Sequence, residues 1–321
     1  MTRCIDSIII WSLVVLFSTA IILYNVFYLY LKYVIARERL LFTEAFDNYC
    51  ENLSPIKYRQ EVYIPIKNGV YERKLAVAMF DIASNTGKSN CANILPLPNP
   101  PGFTQQLRVE GSEPINGQIL MFAYIFWDRT LEHAVISFTG TDYISEWISN
   151  LDFKQVPAVD LNGYVDGVLV HRGFYLIYLS IRNKLWNWWN ENSSWVKNLY
   201  ITGYSLGGAL ATICGYDFGD VFPDHVPIHY TFGAPRSGNN EYSDNFNSRM
   251  QYQSLRINNI QDIVPQIPLP VQDGYVYDQT GGSVPFNASL SNLALNHTVA
   301  YFSFLPICPD AASSIPSCSD S

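Results

Sequence analysis

Apolar runs of strand length alternate along the chain with longer stretches of helical spacing. "QILMFAYIFWD" (Gln118–Asp128) and "HAVISFTG" (His133–Gly140) are apolar runs split by a polar turn, and they predict two neighbouring strands of a hairpin. "GFYLIYLSIRNKLWNWWNEN" (Gly173–Asn192) repeats its apolar residues at helical intervals. "NLYITG" reads as a short buried strand, and "SLGGALATICGYDFG" as a helix with small residues on one face. "PIHYTFGAP" (Pro227–Pro235) and "YQSLRINN" (Tyr252–Asn259) predict two further strands. Strands and helices in this alternation predict an α/β protein with a mostly parallel sheet flanked by helices. "LPLPNPPG" (Leu95–Gly102) interrupts the pattern only briefly and reads as a loop within the domain.

The longest apolar run is N-terminal. The 25 residues Ser7 to Leu31 carry no charge, and as a helix they would reach about 37 Å, longer than a hydrocarbon core of about 30 Å. Aromatic residues crowd the end of this run, as they do at membrane interfaces. We read it as an uncleaved transmembrane signal anchor. The competing reading is a signal peptide cleaved after Ser18-Thr19-Ala20, which would leave a second apolar stretch, Ile21 to Leu31, at the mature terminus. The expected organisation is a tail over 1–6, an anchor over 7–31 and one catalytic domain over 32–321.

Composition narrows the classes. Hydrophobic residues make up 48% of the chain and charged residues only 15%, against roughly a quarter in an ordinary domain, which suits a large core and excludes a disordered chain. A net charge of -8 and the lack of any basic run with interleaved aromatics argue against a nucleic-acid partner. The six cysteines are widely scattered and no metal-ligand spacing is present, so no metal or cofactor is expected.

Chemistry enters at "YITGYSLGGALAT" (Tyr200–Thr212), where Ser205 falls between a buried strand and a helix rich in small residues. A nucleophile elbow needs that setting: glycines at 203 and 207 relieve a strained turn, Gly208 and Ala209 let the helix pack close, and the helix N-terminus favours negative charge. A plain glycine turn explains the glycines but not the strand and helix around them. The serine needs a base, and the base an orienting acid, in the chain order Ser, Asp or Glu, His. Of the three later histidines, His225 lies in a turn and His229 inside a strand, whereas His297 follows a long irregular stretch that can carry it back over the sheet. His133 and His171 precede the serine and read as structural. Asp262 ends an apolar strand, where an open α/β sheet presents its ligand-binding groups. Asp217, Asp220 and Asp224 are too close to Ser205 in sequence, and Asp244, Asp273 and Asp278 lack a strand-end setting.

These ordered motifs resemble the class 3 lipases, α/β-hydrolases that include the secreted fungal triacylglycerol lipases. The likeness runs from about Cys50 to Cys308, through "AVISFTGTDYISEWISNLDF", "VHRGFYLIY", "ITGYSLGGALAT", "YTFGAPRSGN", "RINNIQDIVPQIP" and "NHTVAYF". It implies an α/β-hydrolase fold, Ser205 as nucleophile, Asp262 as orienting acid, His297 as general base, and Thr141 in the oxyanion hole. The backbone N–H groups of Thr141 and Leu206 suit that last role physically, with the Thr141 hydroxyl as a third donor. "DYISEW" stands where the family has a short helical lid. There Tyr143, Ile144 and Trp147 form an apolar face for lipid; the alternative is a helix packed permanently on the core. Three positions depart from the family pattern: Thr139 stands for the usual Arg, Tyr204 for the frequent His, and the His segment has one extra residue before its tyrosine.

The resemblance also implies a disulfide between Cys50 and Cys308, with Cys91–Cys318 as a second pair and Cys214 as a buried free thiol. Of four sequons, Asn192 and Asn287 are the better glycan candidates; Asn52 has a proline after its sequon serine, and Asn296 adjoins the base. Against a lumenal domain, Lys32, Arg37 and Arg39 follow the apolar run and outweigh Arg3. We weight the cysteines more and expect a single-pass membrane protein with a lumenal or extracellular catalytic domain; secretion after cleavage is the alternative. The expected activity is hydrolysis of acylglycerol or related lipid esters at a membrane or droplet surface. Phospholipase A1, diacylglycerol lipase and feruloyl-type esterase activities share these motifs, and a lipid-binding pseudoenzyme is the reading from another class.

Overall fold

The strand and helix patterns meet in one layered arrangement in the computed structural model, which describes residues 58–59, 70–89, 97–112, 114, 117, 119–140 and 153–304. Strands β1 (Gln105–Ser112), β2 (Ile119–Asp128) and β3 (His133–Phe138) run antiparallel at one edge of a seven-stranded sheet. From β3 the sheet continues through β6 (Asn198–Tyr204), β7 (Ile228–Phe232), β8 (Leu255–Asn259) and β11 (Gly282–Phe286), all parallel. Two short pairs lie apart from it: β4 (Gln155–Pro157) with β5 (Leu169–His171), and β9 (Val271–Gln272) with β10 (Tyr275–Val276).

Strand alternation assigns the helices to opposite faces. Helix α1 (Arg73–Lys88) covers one face: its Thr86 hydroxyl donates to Ser137 on β3, and the Thr202 hydroxyl on β6 donates to the Met79 carbonyl. Their neighbours along the strands point the other way, towards α2 (Arg172–Asn192) and α3 (Leu206–Asp217); Phe138 meets Tyr178 of α2. On the first face α1 fills a core with Tyr124, Phe126, Val135, Tyr200, Phe232 and Ile257. On the second, the fully buried Asp217 at the end of α3 accepts five hydrogen bonds, from Asn162 N–H, Tyr178 OH, Trp186 Nε1 and two Arg182 nitrogens. Burial beside that carboxylate pushes the Tyr178 hydroxyl pKa well above its usual value, so it stays a donor.

The expected hairpin, buried strands and helices are present. The apolar pattern does not predict α1, the edge strand β1 with its bulge at Val109/Glu110, helix α4 (Asn240–Arg249), or β11, which lies within the stretch expected to be irregular. The apolar run Ser7–Leu31 lies outside the described residues, among which no helix is long and apolar enough to cross a membrane. Cys50, Cys91, Cys308 and Cys318 also lie outside them, while Cys214 is a buried free thiol.

Candidate active site

The carboxyl ends of the parallel strands gather the candidate residues. Ser205 is the single residue between β6 and α3, at φ 58° and ψ -128°. A non-glycine residue held there costs about 1–3 kcal/mol, and the surroundings enforce it. Ser205 N–H donates to the Phe232 carbonyl at 2.9 Å, and Gly208 N–H donates to the Ser205 carbonyl at 2.9 Å. The glycines leave no room for a side chain. A Cβ at Gly203 would fall inside the backbone of Gly207, and one at Gly208 would lie 2.6 Å from the Ala234 Cβ.

Asp262 follows β8 and is 1% exposed; His297 ends the short helix α5 (Leu293–His297) and is 3% exposed. The His297 Nδ1 and Asp262 Oδ2 atoms lie 2.7 Å apart, and Asp262 Oδ1 accepts from Val264 N–H at 2.9 Å. Two buried atoms in this region have no hydrogen-bond partner: the Ser205 Oγ and the His297 Nε2. A buried polar atom without a partner is costly, so such atoms commonly mark a site that awaits a ligand or reacting group.

Further residues hold the pair. The Tyr301 hydroxyl donates to Asp262 Oδ2 at 2.8 Å and accepts from Asn259 N–H at 3.1 Å. Its pKa is raised well above the usual value, first by burial and then by the adjacent carboxylate, which keeps it a donor. The buried Asn259 side chain donates to the carbonyls of Ala288 and Asn296 and accepts from Ala288 N–H, tying the end of β8 to the exit from β11 and to α5. The sequence reading missed both residues. A polar residue closing an apolar strand was the available signal for Asn259, and the tyrosine of "NHTVAYF" for Tyr301.

The alternatives are placed elsewhere. His225 is on a turn, paired with Asp224 at 2.8 Å. His229 is fully buried within β7, where burial lowers its pKa to about 4, and its Nδ1 lies 2.7 Å from Ser254 Oγ. His133 opens β3 with Nε2 2.6 Å from the Gly102 carbonyl, and His171 caps α2 through Nδ1. Thr139, which follows β3 and stands for the family's usual Arg, donates its hydroxyl to the Met121 carbonyl at 3.0 Å, so β2 braces this strand end. Gly140 follows, close enough that a Cβ there would lie 3.7 Å from Ser205 Cβ. Leu206 is the first residue of α3, where helix geometry leaves its N–H without an intrahelical acceptor. Thr141 and the lid candidates Tyr143, Ile144 and Trp147 lie outside the described residues. No group of three or more His, Cys, Asp or Glu among the described residues is placed to hold a metal ion.

One modification candidate is corrected. Asn192 is buried at the end of α2, donating to the Trp188 carbonyl and accepting from Trp195 and Arg129, so its amide is not available for glycosylation. Asn287 is only partly buried, and its carbonyl oxygen accepts from Gln261 at the surface.

Comparison with known proteins agrees with the motifs. The family model described as "Lipase (class 3)" matches residues 135–272, a segment that includes Ser205 and Asp262. That segment is similar to the class 3 lipases. It is 31% identical over 153 residues to Phospholipase A1-II 1 of Oryza sativa subsp. indica, covering 42% of this chain and 39% of the relative. It is 31% identical over 167 residues to Secreted mono- and diacylglycerol lipase 1 of Fusarium solani, covering 48% of this chain and 44% of the relative. The chain thus spans less than half the length of these curated relatives. Among solved structures, a lipase from Rhizopus microsporus var. chinensis shares the fold with a TM-score of 0.54 at 19% identity, over 75% of this chain and 82% of that one.

Proposed function

We propose that the chain is a serine ester hydrolase that cleaves acyl esters of acylglycerols or related lipids. The observation that carries the reading is the buried His297–Asp262 pair, stacked on the tyrosine that precedes an elbow serine, with His297 Nε2 and Ser205 Oγ both unpartnered. In this reading Ser205 Oγ attacks the ester carbonyl while His297 Nε2 takes its proton. Asp262 holds the Nδ1–H tautomer and stabilises the imidazolium that forms. The Leu206 N–H, with Thr141, meets the oxyanion. His297 then protonates the leaving alcohol, and water attacks the acyl-enzyme by the same route in reverse.

Phospholipase A1 cleavage is the second reading, favoured by the name of the rice relative. We further propose that Ser7–Leu31 anchors the enzyme, with the catalytic domain lumenal or extracellular. Turnover of triolein, a diacylglycerol and phosphatidylcholine by the full chain, beside its His297→Ala variant, tests the activity. Hydrolysis of at least one lipid that disappears in the variant is expected. Equal turnover by both forms, or none by either, contradicts the reading.

A further inference from the structure

Resting on that reading, we propose that Tyr204 is the positioning residue for the general base, locking His297 to the nucleophile elbow through one side chain. The Tyr204 ring lies face to face with the His297 imidazole, at 4.9 Å between centroids and 20° between planes. Its hydroxyl donates to the His297 carbonyl. That carbonyl ends a five-residue helix, where helix geometry leaves it without an intrahelical donor. Tyr204 is held in turn by Phe80 of α1 at 5.5 Å and 84°, and by Tyr301 at 5.6 Å and 58°.

The helix that delivers His297 needs such a clamp. Residues 291–294 are exposed, Leu293 to 61%, so the helix has little packing of its own at its start. Asp262 fixes only Nδ1, which leaves the ring free to rock about that bond and swing Nε2 away from the serine. Tyr204 closes one face of the ring. Gly233 crowds its edge, since a Cβ there would lie 3.0 Å from His297 Cε1. Because Tyr204 immediately precedes Ser205, any shift of the base relative to the nucleophile must distort β6 itself. Two departures from the family pattern therefore belong together: the longer His segment carries His297 on a short helix exposed at its start, and the residue before the nucleophile has the ring and the reach to hold it.

The test is steady-state kinetics on p-nitrophenyl butyrate, a soluble substrate, with Tyr204→Phe and Tyr204→Leu in the full chain. Tyr204→Phe keeps the stacked ring and loses the hydroxyl bond, so kcat should fall about fivefold. Tyr204→Leu loses both contacts, and kcat should fall roughly thirtyfold. KM should stay within about twofold in each, because the clamp acts on the base and not on substrate binding. Wild-type kcat in both variants overturns the proposal. So does a parallel change of kcat and KM with no partial rescue by phenylalanine, which is the mark of a general packing role. If Tyr204→Leu does not fold, Tyr204→Phe decides alone: a fivefold lower kcat at unchanged KM supports the clamp, and wild-type kcat overturns it. Ser205→Ala and His297→Ala run alongside separate the two levels. Activity surviving in either refutes the triad reading itself, whereas loss in both with no effect at Tyr204 refutes only the clamp.

Discussion

Replacing Asp262 with asparagine preserves shape while removing what the carboxylate does. Both Asp262 oxygens accept: Oδ1 from Val264 N–H, Oδ2 from Tyr301 OH and from His297 Nδ1 when that nitrogen carries its proton. An amide has one acceptor end and one donor end, so one side of this arrangement must break. With the NH2 towards His297, the imidazole is driven to accept at Nδ1 and carry its proton on Nε2, the wrong tautomer for a base. With the NH2 towards Val264, two donors face each other in a buried site, at about 1–3 kcal/mol, and the imidazolium has lost its counter-charge. The first outcome alone is worth about 10⁴ in kcat, or about 5.5 kcal/mol on the barrier. The assay is kcat on p-nitrophenyl butyrate at pH 8, with a melting curve to show that the variant is folded. A folded Asp262→Asn enzyme within tenfold of wild-type kcat would refute the assignment of Asp262 as the orienting acid.

Other consequences follow from the same geometry. Gly203→Ala should yield little folded enzyme, since its Cβ collides with the backbone of Gly207; a soluble variant with wild-type melting temperature and kcat contradicts the elbow geometry. Asp217→Ala strands the Arg182 guanidinium and the Tyr178 hydroxyl, so urea denaturation should show a loss of about 3 kcal/mol, and a loss below about 1 kcal/mol would mean that the buried network adds little. In a eukaryotic secretory host, an endoglycosidase shift should disappear in Asn287→Gln and persist in Asn192→Gln; the reverse pattern would contradict the burial of Asn192.

What the sequence discloses and what it hides have separate physical causes. The elbow is legible because its constraints are local: a Cβ at Gly203 or Gly207 would strike backbone a few residues away or on the adjoining strand, and one at Gly208 would strike Ala234. The pairing of Asp262 with His297 is legible by chain order and by the apolar strand β8, which ends at Asn259, three residues before Asp262. Helix α1 hides because it is buried on most sides, so Asp81, Ser84, Asn85 and Thr86 interrupt the apolar stripe that marks a surface helix. Their partners are distant in sequence: Asp81 pairs with Arg59, and Thr86 meets Ser137. Strand β11 contains Pro285 and two exposed positions, and becomes a strand through its parallel pairing with β8. Asn192 looks like a free sequon until Arg129, 63 residues earlier, is seen to approach its carbonyl oxygen. The hydroxyl of Tyr301 likewise reaches Asp262 only because α6 (Val299–Phe304) restarts the helix after a break at Thr298.

The measurement that bears most directly on the central claim is labelling by a fluorophosphonate probe, mapped by mass spectrometry. With Ser205 as nucleophile, the wild-type chain should carry one adduct on Ser205 and Ser205→Ala none, labelling should be strongly slowed in His297→Ala, and ester hydrolysis in Ser205→Ala should fall by roughly 10⁶. An adduct mapped to another residue, or labelling and hydrolysis that survive Ser205→Ala, would contradict that assignment.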